Sequence, residues 1–414
     1  MDPLDLGSWR SAAGGAVIVL TLIGVAVGRY PGVRMNRATI ALVGAVALVA
    51  LGVIAPEEAA RAVDLQTLGL LFGMMVINAN LRLAGFFRLA AARLALRAHS
   101  PRALLAGLVA TSGVLSALFL NDTVVLALTP LVIEVTAAAR LRPVPFLVGI
   151  AAAANVGSVA TLVGNPQNML IGVSSGIPFL TFSAALAPVA LVGLGAVWAM
   201  IALVYRRDLA WREVPEAPAV KVRAFRPLLI KGSVAGALLL GALLAGVPPA
   251  LAALGAASIL LVTRRIKPER VFREIDWSLL VFFAGLFVVT GAVGSGGYGG
   301  RAYESLRPWL EGNLAGFAAA AAVLSNLVSN VPAVLLLRPM IGTLADPERS
   351  WLALAMATTL AGNLTLLGSV ANLLVAELAA ARRVRLGFVE YLKAGVPITL
   401  LTLAWGVAWL SLRG

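Results

Sequence analysis

Long apolar runs separated by short charged turns set the pattern of this chain. Runs of crossing length lie near 12–28, 38–54, 65–82, 144–175, 179–204, 228–246, 250–264, 277–296, 351–381 and 394–411. A transmembrane helix needs about 20 mostly apolar residues, and the pattern predicts ten such crossings. Two more apolar stretches, 102–138 and 313–344, break in the middle at an Asn and return to charged flanks, which predicts re-entrant helical hairpins. The crossings 144–175 and 351–381 are interrupted by Gly, Asn, Ser, Thr and Pro, which predicts broken helices. Asn and Pro strand backbone or amide groups in hydrocarbon, so their clustering inside apolar segments calls for a lined cavity.

The pattern is written twice. PEEAARAVD from Pro56 returns as PERVFREID from Pro268, an offset of 212 (268 − 56). Asn121 and Asn330 are offset by 209 (330 − 121), and Asn168 and Asn372 by 204 (372 − 168). The expected fold class is therefore an all-α polytopic membrane protein of two inverted repeats, each with five crossings plus a re-entrant hairpin and a broken helix. The first repeat covers 1–205, a polar linker covers 206–227, and the second repeat covers 228–414.

Composition agrees and removes other classes. Hydrophobic residues make up 60% of the 414, charged residues 13%, and mean hydropathy is +0.94, outside the soluble range. The formal charge of +14 is spread through short loops between apolar runs, as expected of charge that orients a membrane protein rather than charge that binds nucleic acid. Placing Arg29 to Arg37, Arg82 to Arg102, Arg140 with Arg142, Arg206 to Lys231, Arg264 to Arg273 and Arg382 to Lys393 inside puts every basic cluster on one face. The Gly294–Gly300 segment and Glu311 then fall outside, and the chain is expected in the inner membrane as a multi-pass protein. The acidic opening MDPLDLGSWR is unlike a cleavable signal, so the first span is expected to stay. The stretch from Arg82 to Arg102 spaces Arg88, Arg93 and Arg97 like an amphipathic helix on the inner surface. The chain has no cysteine, which excludes disulfides and thiolate chemistry. It also lacks a nucleophile and base pair, a metal-binding His cluster and a phosphate loop, so it is expected not to be an enzyme.

The candidate chemistry sits at the interruptions. A hairpin tip inside a bilayer leaves the last carbonyls of one half-helix and the first amides of the next without partners, offering dipole ends of both signs at mid-depth. Asn121, Asp122 and Thr123 at the first tip, and Ser329 and Asn330 at the second, are candidates to meet a solute. Asn165 and Asn168 in the first broken helix and Asn363, Thr365, Ser369 and Asn372 in the second are candidates to line the same site. For Gly164, Pro166 and Gly368 the expected role is to unwind the helix. A carboxylate at a tip must be protonated, paired or wetted, so Asp122 is the candidate coupling residue. Arg338 would balance Asp122, attract anions or snorkel outward. No cofactor or bound metal is expected. The coupling ion is a proton or sodium, the latter near Asn121 and Asn330.

LNDTVVLALTP, NVGSVATLVGNPQNMLIG, VSNVPAVLLLRP and AGNLTLLGSVANLLV resemble the paired signatures of the ion transporter superfamily. The resemblance is to the citrate-transporter-like branch, which includes arsenite-efflux carriers and anion permeases, and it covers nearly the whole chain. It implies a homodimer of scaffold and transport domains working by an elevator-type step. The dicarboxylate branch resembles Ser-Asn-Thr at both tips, whereas the matching triplets are Leu120-Asn121-Asp122 and Ser329-Asn330-Val331. The Asn-Asp tip is similar to that of arsenite-efflux carriers. The resulting expectation is a proton-coupled secondary transporter of a small oxyanion or its neutral acid, arsenite-like. The alternative is a sodium-coupled carboxylate or anion symporter, with an ion channel ranked below both.

Overall fold

A computed structural model describes residues 3–28, 32–95, 99–210, 224–263, 266–295 and 313–413. Most of the linker 206–227, Arg29, Arg97, Arg264, Glu311 and all but the start of the Gly294–Gly300 segment lie outside the described residues, as does the side chain of Arg93. Every regular element among the described residues is a helix. Eight helices are long and apolar enough to cross a membrane, within 10–27, 65–84, 101–118, 121–138, 179–204, 226–244, 277–294 and 388–412.

Helix ends follow local chemistry. Asp64 caps helix Leu65–Ala84 by accepting from the amides of Gln66 and Thr67, and Gly85 at φ 81 closes it. A Pro in the first turn opens helices Pro101–Leu118 and Pro166–Ser175, where the missing N–H is not needed. Two expected crossings are shorter than the apolar run suggests. The run 38–54 is helical only over Arg37–Ala50, because Gly52 takes φ 67 and a separate short helix starts at Pro56. The run 250–264 is helical over Pro249–Leu261. At about 1.5 Å per residue these helices cover only about 20 Å, less than the roughly 30 Å hydrocarbon layer. In the other direction, the last helix is Phe388–Leu412 and takes in Glu390 and Lys393, which the charge pattern assigned to a loop.

The interrupted regions are pairs of helices joined by short breaks, and in the first expected hairpin each arm is by itself long and apolar enough to cross a membrane. Helices Pro101–Leu118 and Asn121–Ala138 are joined by Phe119 and Leu120, and helices Leu314–Val328 and Asn330–Ile341 by Ser329. Helices Val144–Ser158 and Pro166–Ser175 flank one break, and Pro347–Ala361 and Val370–Ala380 flank the other. In each half the first hairpin arm packs along the first arm of that half's broken helix. The remaining arms cross over: Asn121–Ala138 packs on Val370–Ala380, and Asn330–Ile341 on Pro166–Ser175. Outside this core, Arg37–Ala50 pairs with Trp277–Ser295 and Leu65–Ala84 with Pro249–Leu261, again crosswise, and the long helices Phe179–Val204 and Phe388–Leu412 lie together.

The helix Phe86–Ala95 corrects the expectation of a purely surface-bound amphipathic segment. Phe86, Phe87 and Phe119 form a triangle of edge-to-face rings with centroids 5.4 to 5.7 Å apart, and Phe87 is buried. The ring quadrupoles favour this geometry, so the helix is pinned to the first hairpin tip while Arg88 stays exposed.

Candidate functional site

The breaks are repaired by the same residue type at the same offset. Asn168 donates both amide hydrogens, to the carbonyls of Ser158 and Thr161, each at 3.0 Å. Asn372 does likewise to Gly362 at 2.8 Å and Thr365 at 3.1 Å. Ser158 and Gly362 end the first arms, where carbonyls lose their helical partners, and Thr161 and Thr365 lie within the breaks; a buried unpaired carbonyl is costly in a bilayer. Asn165 and Ser369 start the second arms by accepting from the backbone amides of Asn168 and Ala371.

Each tip docks on the break of its own half. The Asn121 amide donates to the Gly164 carbonyl at 3.0 Å, and Thr161 Oγ1 donates to the Ala117 carbonyl. A Cβ on Gly164 would lie 2.5 Å from the Ser158 carbonyl oxygen and 2.7 Å from that of Ser116, so only glycine permits this approach. At the second tip Asn326 Nδ2 donates to the Ala361 carbonyl at 3.0 Å, while Ser325 Oγ donates to Asn330 Oδ1 at 2.6 Å.

The two halves then meet through side chains. Asn155 Nδ2 donates to Asn363 Oδ1 at 2.8 Å and to Asn372 Oδ1 at 3.1 Å. Asn155 Oδ1 accepts from Ser369 Oγ at 2.9 Å and from Asn121 Nδ2 at 3.2 Å. On the opposite side Thr359 Oγ1 accepts from Asn165 Nδ2 and from Gln167 Nε2, both at 3.2 Å. Tyr391 closes the network with its hydroxyl 3.4 Å from Asn363 Oδ1. Asn155, Asn165, Asn168, Thr359, Asn363 and Asn372 are all buried. A network of this kind in a low-dielectric core specifies one arrangement, because each broken bond strands a polar atom.

The candidate residues therefore divide. Asn121, Asn165, Asn168, Asn363, Ser369 and Asn372 are drawn into the buried network, and the amide donors of Asn168 and Asn372 are engaged with backbone carbonyls. Asp122, Thr123, Ser329, Asn330 and Thr365 remain half-buried around it. The Asp122 amide donates to Asn121 Oδ1 at 2.9 Å, and its carboxylate has neither a hydrogen bond nor an ion pair among the described residues. Arg338 does not balance it; its guanidinium sits 3.8 Å from Asp64. Ser329 holds φ 80 and ψ 157, a conformation all but restricted to glycine.

Asn155, Thr359, Gln167 and Tyr391 were not among the sequence candidates. Thr359 stands at the offset of 204 from Asn155 that relates Asn372 to Asn168, so the repeat carried the signal for that pair. Nothing in the sequence pattern marks Tyr391, whose role comes from how the last helix packs.

The family model described as "Citrate transporter" matches residues 18–361. The chain is 32% identical to the silicon efflux transporter LSI3 of Oryza sativa subsp. japonica, over 91% of this chain and 93% of that protein. It is 26% identical to the putative transporter arsB of Dictyostelium discoideum, over 92% of this chain and 88% of that one. Among solved structures, the YdaH transporter of Alcanivorax borkumensis superposes with a TM-score of 0.58 at 17% identity, covering 98% of both chains, a likeness of fold.

Proposed function

The chain belongs to the citrate transporter family, a family of membrane transporters and not of enzymes, and from that premise we propose that it is a secondary carrier of a small hydroxylated acid, coupled to protons through Asp122. The observation that carries this reading is the half-buried Asp122 carboxylate, without a hydrogen bond or ion pair among the described residues, beside a network of mutually hydrogen-bonded side chains. A carboxylate kept in that state at membrane depth is suited to take and release a proton or to meet the solute's own hydroxyls.

The relatives' names, one concerning silicon efflux and one arsB, support a solute of the silicic or arsenous acid type. Both acids present several hydroxyls on a compact centre and are largely uncharged near neutral pH. Thr123, Asn330 and Thr365 offer hydroxyl and amide groups of matching scale. The crosswise packing of the halves supports inverted repeats, with the hairpins and broken helices moving as the transport unit of an elevator-type step. The one-sided basic clusters support an inner-membrane location with the arginine-rich face in the cytoplasm. The homodimer rests on the superfamily resemblance.

The test is solute accumulation in everted vesicles under an imposed pH gradient, with arsenite and silicic acid as solutes. Wild-type protein is expected to accumulate them only with the gradient present, and Asp122→Asn to lose that dependence. Accumulation unchanged by Asp122→Asn removes the residue from coupling. The family's description favours a carboxylate as the other solute, and the sodium-coupled form of that reading predicts sodium-dependent citrate transport that survives the same substitution.

A further inference from the structure

A cavity of about 250 Å³ opens beside the second arm of the first hairpin, lined by Arg82, Phe87, Arg88, Leu126, Ala127, Pro130, Glu134 and Arg382. Its wall carries three arginines against one glutamate. Arg82 pairs with Glu274, and Arg88 lies 3.6 Å from Glu134, a loose pair with both side chains about half exposed. Arg382 donates to the Leu378 carbonyl at 3.4 Å and has no carboxylate partner among the described residues. The cavity thus holds a surplus positive charge on apolar walls, the combination that concentrates anions.

The cavity also leads somewhere. Along helix Asn121–Ala138 the positions 134, 130, 126 and 122 recur every four residues on one face. None of the four is buried, so an incompletely packed stripe runs from the cavity to Asp122 at the tip, about 18 Å at 1.5 Å per residue. On helix Leu65–Ala84, Asn78 stands one turn inward of Arg82 on the same face. Asn78 is buried, and neither its amide nitrogen nor its carbonyl oxygen has a partner among the described residues, whereas a buried amide ordinarily has one. Two facing helices therefore carry unpacked or unsatisfied positions inward from the same arginines.

We propose that this cavity is an anion-collecting site, separate from the Asn-rich tip, that holds a small oxyanion between Arg88 and Arg382 before it moves inward past Asn78. Guanidinium groups bind oxyanions through paired N–H donors, and Leu126, Ala127 and Pro130 give the arginines an apolar wall without competing carboxylates. For the step beyond the cavity the inference rests on the proposed carrier function. The cavity gathers the ionised fraction of the hydroxylated acid, and beside Asp122, a second negative group, uptake of one proton returns the solute to its neutral form. That ties movement of the charged form to a proton. The cavity itself requires only the arginines.

The experiment is calorimetric titration of inorganic sulfate, at constant ionic strength, into the full chain in phosphatidylcholine nanodiscs. Saturable binding is expected, weakened about tenfold or more in the double variant Arg88→Gln, Arg382→Gln, the scale of a lost charge-assisted contact. The double variant Arg88→Lys, Arg382→Lys keeps the charge and is expected to bind closer to wild type. Asn121→Ala, which alters the tip, is expected to leave sulfate affinity in place, so a failed carrier hypothesis and a failed cavity assignment read differently. The proposal is overturned by absent sulfate binding, by unchanged affinity in the double Gln variant, or by loss of binding in Asn121→Ala. It is also overturned if sulfate fails to bind and phosphatidylglycerol is retained in an arginine-dependent way, since the site would then belong to a lipid headgroup.

Discussion

Asn155 and Ser369, 214 residues apart, share a hydrogen bond of 2.9 Å between the two halves of the chain. Thr359 and Asn165 repeat the relation in mirror order at 3.2 Å. In each pair one residue lies near the end of a first arm and the other opens the second arm of the opposite half. The breaks are therefore braced against each other, and the tips are braced against the breaks.

Removing the hub should cost stability out of proportion to its size. Asn155→Ala leaves Asn121, Ser369, Asn363 and Asn372 each short of a partner. A loss of about 1–3 kcal/mol is expected, since stranded buried groups cost more than a bond contributes. A melt in detergent reads it as a lower Tm. An unchanged Tm would show that the network relaxes freely.

The contact between helices Pro101–Leu118 and Val144–Ser158 depends on a missing side chain. A Cβ on Gly157 would lie 2.5 Å from Cα of Gly113, which is backbone and has nowhere to go. Gly157→Ala should force the helices apart and destabilise the fold by about 1–3 kcal/mol. Gly195→Ala, with nothing within 4 Å, serves as the control and should be neutral or mildly stabilising. Equal melting behaviour of the two variants would contradict the close approach.

Of the two tips, only the second carries a strained backbone. Ser329 sits at φ 80, ψ 157, whereas Leu120, at the first tip, takes φ −55, ψ 122. Ser329→Gly should raise stability by about 1–3 kcal/mol, the usual cost of a side chain in that region, and Ser329→Val should lower it. If transport falls as stability rises in Ser329→Gly, the strained backbone serves the solute step. A Gly variant that melts below wild type would refute stored strain.

The Arg338 and Asp64 pair, at 3.8 Å, joins the second hairpin to a helix of the outer layer. With Arg338 39% exposed it contributes little to folding, about 0–1 kcal/mol, so Arg338→Gln should melt like wild type. Its effect should appear in rate. If the hairpins move against the outer helices, breaking the pair alters solute flux, and wild-type flux depends on salt where the variant's does not. Identical salt dependence in both proteins would exclude the pair from the moving step.

The breaks and tips were legible because Asn, Pro and Gly are conspicuous in apolar sequence and because they recur at nearly constant offsets. Asn121, Asn168, Asn330 and Asn372 stood out for that reason. Helix ends were less legible: Gly52 ends a helix inside an unbroken apolar run, and its positive φ is a property of the folded chain. The division of the candidates was illegible. An Asn that patches carbonyls and one that stays half-buried at a tip have the same side chain, and Asn168 and Asn330 separate only by what surrounds them.

From its sequence alone this chain is a helical membrane protein written in two related halves, with polar interruptions at matched places, because span length, the cost of amides in hydrocarbon and charge asymmetry are local quantities. Which amide meets which is decided elsewhere. Asn155 reaches Ser369, and Arg338 reaches Asp64, only once helices distant in sequence have packed, since a hydrogen bond or ion pair needs a few ångströms of separation that no spacing along the chain encodes.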